Sequence, residues 1–280
     1  MRGLVIKKQA NLFRVELETG EVLDCLARKV LKSEGIFVGD YVFLDEDKTI
    51  AKIDKRKNIL IRPPVANIDK MFIVIAPVPK PDFYTVDKML LFCKLNNIEP
   101  ILCINKVDID TKICIQIEEI YKDVIDILSF STLDESVFVM EDKIEGICVL
   151  AGQSAVGKSS IINGLKKENI SKVDTFSKKT QRGKQTTRTV ELYKFERGYL
   201  ADTAGFSKLD ESLLDLREEE IKSYYDEFLR PSAECKYKTC LHLNSKDCGV
   251  CKALSQKRIS KVRYENYKKL YESIKQLKKF

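Results

Sequence analysis

GICVLAGQSAVGKSSIINGL (Gly146–Leu165) runs from an apolar stretch through a loop bounded by glycines into residues with helical spacing. Within it, Gly152, Gln153, Ser154, Ala155, Val156, Gly157, Lys158 and Ser159 fit G-x-x-x-x-G-K-[ST], a strand–loop–helix cradle for phosphate. The glycines let successive backbone N–H groups turn inward around a β-phosphate. The helix opening at Lys158, Ser159 and Ser160 points its positive end at the same place. Lys158 is then set to bridge the β- and γ-phosphates, and the Ser159 hydroxyl to ligate Mg²⁺.

Upstream, EPILCINKVD (Glu99–Asp108) reads as a strand ending in Asn105, Lys106, Val107 and Asp108. Open α/β sheets bind ligands at that end of a strand. The Asp108 carboxylate can accept from guanine N1–H and the 2-amine together. Adenine lacks that pair of donors and would strand a buried carboxylate, so the motif selects GTP over ATP. Lys106 would lie along the base with its aliphatic stem. Ser131, with Thr132, follows the strand IDILSF (Ile125–Phe130) where a further loop supports the base.

Downstream, Asp202-Thr203-Ala204-Gly205 follows the apolar step GYLA. Asp202 is expected to hold Mg²⁺ through water and the Gly205 N–H to reach the γ-phosphate. Between lies KKTQRGKQTTRTV (Lys178–Val190), polar and basic, with Thr186 or Thr187 as the Mg²⁺ and γ-phosphate sensor. Spacing does not choose between the two threonines. The position after Gly205, where Ras-like enzymes carry a water-orienting glutamine, is Phe206. Slow intrinsic hydrolysis is therefore expected, with Gln185 the leading candidate to orient water.

From Met71 to Gly152 the texture alternates apolar strands with helical segments, predicting a mostly parallel sheet with helices on both faces. Residues 1 to about 60 read instead as five short strands: GLVIKK, NLFRVEL, EVLDCLA, YVFLDE and TIAKI. Their alternation and turn signals predict a small barrel of the OB or SH3-like kind. KRKNILIR (Lys55–Arg62) and Pro63-Pro64 read as its exit linker.

Past Asp210 the chain reads as helical, interrupted by Cys235, Cys240, His242, Cys248 and Cys251, with His242 the only histidine. Thiolates plus one imidazole make a closed tetrahedral set for one structural Zn²⁺. Five candidates for four places leave one spare, and spacing alone also allows Cys251 in a C-x-x-C pair of redox type. Cys25, Cys93, Cys103, Cys114 and Cys148 lie in apolar or strand contexts and read as small buried thiols. Tyr264, Tyr267, Leu270, Tyr271, Ile274 and Leu277 then recur at helical spacing between lysines. That is an apolar stripe docked on the metal module, with lysines free to face RNA phosphates.

The chain has 280 residues, 44% hydrophobic and 32% charged, the balance of a globular protein of two or three domains. Its net charge of +7 is concentrated at one end, where residues 252–280 hold ten Lys or Arg against two Glu. A basic end on a near-neutral body suggests a polyanionic partner, with nucleic acid ahead of membrane. No run approaches the ~18 apolar residues of a membrane span, and MRGLVIKKQA lacks the apolar core of a secretory signal, so the cytoplasm is expected.

The order NKVD, phosphate loop, RGKQTT, DTAGF and finally a Cys/His cluster resembles the circularly permuted small-ribosomal-subunit biogenesis GTPases, the RsgA (YjeQ) family. RPPVANIDK (Arg62–Lys70) resembles that family's domain junction. The resemblance implies an OB-like barrel at 1–62, a permuted GTPase domain at 63–212, and a mainly helical zinc domain with a basic C-terminal helix at 213–280. It implies a Mg²⁺-dependent GTPase that cycles between GTP and GDP, and a monomer is expected. The subunit and its rRNA would be the partners, stimulating turnover late in subunit maturation, with neither DNA nor membrane expected. The family pattern assigns the metal to Cys235, Cys240, His242 and Cys248. Three departures stand out: Ala204 replaces a proline, Lys184 an arginine, and Gln185 a histidine proposed to assist hydrolysis. Glutamine can orient water but cannot titrate as a base. A cut after the DxxG segment leads the γ-phosphate sensor straight into the metal domain, so hydrolysis is expected to move that domain relative to the barrel. A nucleotide switch with negligible turnover is the rival reading, and a P-loop ATPase a weaker third.

Overall fold

A computed structural model describes residues 1–32, 35–61, 63–172, 190–202, 216–243 and 245–277. The barrel forms from β1 (Arg2–Gln9), β2 (Leu12–Leu17), β3 (Val22–Cys25), β4 (Tyr41–Leu44) and β5 (Ile50–Ile53). The first three make a meander, β4 pairs with both β1 and β5, and a parallel bridge from Ala27 to Ile50 closes the ring. That is the OB-like order expected of five short alternating strands. Its core is built from inward positions such as Val5, Val15, Val42 and Ile50, each buried completely. Leu4, next to Val5, points the other way and joins the core of the neighbouring layer, as strand alternation requires.

The stretch read as a linker is structured. β6 (Ile59–Ile61) and β7 (Pro64–Ala66) form an antiparallel hairpin in register Ile59↔Ala66, with Leu60 and Val65 fully buried. The Asn58 amide donates to Ile68 O at 2.9 Å and Asn96 O at 3.1 Å, while its Oδ1 accepts from Ile68 N at 2.8 Å. Prolines read as linker punctuation because they cannot donate to a ladder, but a two-stranded ribbon leaves outward N–H positions where none is needed.

Beyond it come β8 (Lys70–Ile75), α1 (Phe83–Leu95), β9 (Glu99–Ile104), α2 (Thr111–Tyr121), β10 (Asp126–Ser129), β11 (Gly146–Gly152), α3 (Lys158–Lys172), β12 (Glu191–Lys194) and β13 (Gly198–Asp202). The strand order is β10-β9-β8-β11-β13-β12, parallel until the antiparallel β12–β13 hairpin. Alternation along β8 divides its neighbours: Met71, Ile73 and Ile75 pack under α1 and α2, whereas Phe72 and Val74 pack towards α3 and a 3₁₀ segment at Glu135–Lys143. β12 then pairs with β1 at Lys7↔Glu191, so barrel and parallel strands form one 11-stranded sheet among the described residues.

The remaining elements are a 3₁₀ turn at Glu218–Tyr224, α4 (Asp226–Ser232), α5 (Gly249–Ser255) and α6 (Lys261–Leu277). α6 buries Tyr264, Tyr267, Leu270, Tyr271 and Ile274, the predicted stripe, whereas Leu277 is 48% exposed. The stripe meets more than the metal module: α6 also packs on α1. Among the described residues no helix is long and apolar enough to cross a membrane.

Candidate active site and metal centre

β11 ends at Gly152, where the chain must pass under β8. A Cβ on Gly152 would lie 2.1 Å from Val74 O, and φ is +133°. Gly157 has φ +101°, and a Cβ there would meet Asn105 Nδ2 at 2.3 Å. Both glycines are required by backbone sign and by close approach together. Between them Ala155 takes φ +65°, an expensive conformation for a residue with a side chain, of the kind found at ligand-binding loops.

The two halves of the nucleotide motif meet here. Asn105 is fully buried and donates from Nδ2 to Val156 O at 2.9 Å, while its Oδ1 accepts from Lys106 N at 2.8 Å. Lys106, with φ +62°, sends its amine to Ala155 O at 2.7 Å and Val78 O at 2.9 Å. The turn at 105–108 is thus fastened to the crown of the glycine-bounded loop at 152–159 by two side chains. Val107 completes the turn, its N–H donating to Phe130 O at 3.4 Å. Ser131 Oγ donates to Asp108 Oδ1 at 2.6 Å, aligning the carboxylate from the loop expected to support the base. Sequence reasoning did not foresee Ser136, whose Oγ accepts from Ser131 N at 2.9 Å, or the carbonyls of Val78 and Ala155; their only signal was proximity to motifs.

Lys158 donates to Gly152 O and Gln153 O, both at 2.7 Å, and burial holds its amine below the usual lysine range. The amine therefore lies over the cradle with weakened solvation, where phosphate oxygens would offer it stronger partners. Gln153 Oε1 is buried without a hydrogen-bond partner. Ser154, Ser159 and Ser160 are exposed, Ser159 and Ser160 in the first turn of α3. A positive-φ glycine cradle at a helix start, a lysine amine over it and an exposed hydroxyl fit a nucleoside triphosphate with Mg²⁺.

Asp202 ends β13, with its Cα in register with Glu191 of β12. Lys184, Gln185, Thr186, Thr187, Ala204, Gly205 and Phe206 lie outside the described residues.

Cys235, Cys240, His242 and Cys248 bring their ligand atoms within 4.8 Å of one another. Cys235 Sγ lies 3.8 Å from Cys248 Sγ and 3.5 Å from His242 Nδ1, and Nδ1 lies 3.3 Å from Cys248 Sγ. Bonds of about 2.3 Å to sulfur and about 2.05 Å to nitrogen give tetrahedral edges of roughly 3.5–3.8 Å, so the set fits Zn²⁺. The sulfurs accept backbone N–H bonds: Cys235 from Gly249 at 3.3 Å, Cys240 from His242 and Cys248 from Cys251, both at 3.4 Å. His242 Nε2 meets Ser232 Oγ at 3.1 Å, leaving Nδ1 for the metal. Burial and then the Lys222 charge push the imidazole down to about 4, so it is a neutral ligand at pH 7. Cys251 stands outside the set, its thiol 3.8 Å from His242 O and 3.6 Å from Tyr264 OH. The five other cysteines are buried free thiols, as expected.

The sequence model of the RsgA GTPase family matches residues 53–212. The small ribosomal subunit biogenesis GTPase RsgA of a Geobacillus species (strain WCH70) is 38% identical, covering 99% of this chain and 98% of the relative. That of Bacillus cereus is 36% identical with the same coverage. The crystal structure of YjeQ from Thermotoga maritima superposes with a TM-score of 0.78 at 31% identity, covering 98% of both chains. The crystal structure of YloQ, a circularly permuted GTPase, gives 0.77 at 31% identity, covering 98% of this chain and 95% of that one.

Proposed function

The chain belongs to the RsgA GTPase family, and from that premise we propose that it hydrolyses GTP in the biogenesis of the small ribosomal subunit. The observation that carries the reading is the joint at Asn105 and Lys106. It makes the guanine reader and the phosphate cradle one surface although they occur in permuted order.

In this reading Asp108, aligned by Ser131, takes the guanine N1–H and 2-amine, and the Lys106 stem covers the base. The backbone of residues 153–159 holds the phosphates. Lys158 compensates charge on the β- and γ-phosphates. Ser159, Asp202 and Thr186 or Thr187 hold Mg²⁺, which when bound supplies neutralisation of the charge on the transferring phosphoryl group. Gly205 contacts the γ-phosphate and Gln185 orients water. Phe206 cannot do so, so turnover is slow until the subunit completes the site.

Cys235, Cys240, His242 and Cys248 hold one structural Zn²⁺. The barrel at 1–62 and the zinc domain at 213–280 bracket the GTPase domain at 63–212 and bind rRNA, the barrel by shape and α6 through its lysines. The protein acts as a monomer in the cytoplasm.

The test is multiple-turnover GTP hydrolysis, with ATP as control, with and without purified small subunits. Strong stimulation selective for GTP is expected. Tight GTP binding without stimulation would favour the nucleotide switch that the Phe206 position keeps open.

A further inference from the structure

The β12–β13 hairpin lies between the barrel and the strand that carries the phosphate loop, and it is gripped at both ends. At its turn end, Lys194 pairs with Glu16 of β2, which also accepts from Tyr199 OH at 3.1 Å. At its open end, Glu191 accepts from Lys7 of β1 at 2.9 Å, with the two side chains 31% and 23% exposed. The open end is also where both switch segments attach. The chain carrying Thr186 and Thr187 enters at Val190, and the DxxG chain leaves after Asp202.

Register puts these groups in one row. Lys7 is the Cα partner of Glu191, and Glu191 is the Cα partner of Asp202. Two strand spacings, roughly 10 Å, separate the barrel lysine from the aspartate position. β1 reaches this row through an irregularity. Leu4 is partnered by Tyr41 of β4, the register shifts between Val5 and Lys7, and Lys7 then pairs across to β12. The irregularity divides β1 into a half paired with β4 and a half that meets β12. The seam also has space: a cavity of about 150 Å³ lies among Arg2, Leu4, Glu16, Tyr41 and Tyr199.

We infer that Glu191, held by Lys7, is a positioning residue that transmits engagement of the barrel to Val190 and Asp202, the points where the switch segments attach. This rests on the functional reading above and adds the route by which a subunit bound to the barrel accelerates turnover. A half-buried pair between two strands is screened less than a free surface pair, and its geometry is set by the ladder rather than by side-chain search.

The experiment compares wild type, Lys7→Glu, Glu191→Lys and the double exchange in GTP turnover as a function of subunit concentration. Each single reversal is expected to lower the maximal stimulated rate on the order of tenfold. The subunit concentration for half-stimulation should change less than about twofold, and the double exchange should recover most of the rate. Undiminished maximal stimulation in both single variants, loss expressed only as weaker subunit affinity, or no recovery in the exchange would each overturn the inference.

Hydrogen exchange separates its failure from failure of the functional reading, because it reads the joint between barrel and hairpin directly, without a subunit and without turnover. A non-hydrolysable GTP analogue with Mg²⁺ should slow exchange of β1 amides relative to GDP in wild type, and not in Glu191→Lys, with no subunit present. Equal β1 exchange in the two nucleotide states of wild type overturns the inference even where stimulation is seen.

Discussion

Arg263 of α6 donates to Asp87 of α1 at 2.5 Å, with side chains 4% and 0% exposed. Nearly every remaining valence of the pair is used. Asn266 Nδ2 and Tyr121 OH donate to Asp87 at 2.7 and 3.1 Å, and Arg263 forks onto Glu227 at 2.8 and 3.1 Å. Burial opposes the guanidinium charge, but Asp87 and Glu227 outweigh it and hold Arg263 above its ordinary range. The metal module is therefore bolted to the α1 layer of the parallel sheet. A nucleotide-driven displacement between metal domain and barrel would then have to fall at the barrel seam.

Removing one partner of such a pair leaves a buried charge without compensation. Arg263→Met is expected to cost about 3–5 kcal/mol, read as a lowered denaturant midpoint with unchanged slope. A loss under about 1 kcal/mol would mean that the cluster is hydrated in solution.

Asn105→Ala should weaken phosphate binding more than base selection. It leaves Val156 O buried and unpaired, a penalty of about 1–3 kcal/mol, and unfastens the crown of the phosphate loop. GDP affinity should fall on the order of tenfold while preference for guanine over adenine is kept. Loss of base preference at unchanged affinity would place Asn105 in base reading instead.

Asp108→Asn should reverse the base preference. The amide oxygen still accepts N1–H, but its NH₂ opposes the guanine 2-amine and suits the 2-oxo group of xanthine. Guanine nucleotide affinity is expected to drop about tenfold to a hundredfold, with xanthine nucleotides gaining in a direct competition assay.

Chelation, or Cys240→Ala, should loosen the module before the sheet. Tyr264 and Tyr267 donate to His242 O at 2.7 Å and Leu241 O at 2.5 Å, so α6 depends on the knuckle's backbone path. About one Zn²⁺ per chain should be released, and hydrogen exchange should rise at 235–251 first. Exchange unchanged after complete metal loss would mean that packing alone holds the knuckle.

Local chemistry was legible in the sequence and long-range geometry was not. The glycine-bounded loop, the Asp108–Ser131 contact and the Cys/His cluster could be anticipated because each proposed role needs specific residue types at short spacing. The five barrel strands showed through alternation. Asp87 is one polar residue among apolar neighbours, and nothing local signals a partner 176 positions away. Lys7 and Glu191, 184 apart, were ordinary strand charges. The β6–β7 hairpin was missed because Pro63 and Pro64 signal a break and say nothing of two buried residues on either side.

β1 also has a protective task. At its one register pair with β12, Lys7↔Glu191, it occupies the start of what would otherwise be an open edge, next to Leu192, which is 4% exposed. A shortened chain begun near residue 60 would present that edge to its own copies, inviting strand-to-strand self-association. On that ground the nucleotide-binding half is expected to stay dispersed only with its barrel attached, apart from any use the barrel has in grasping RNA.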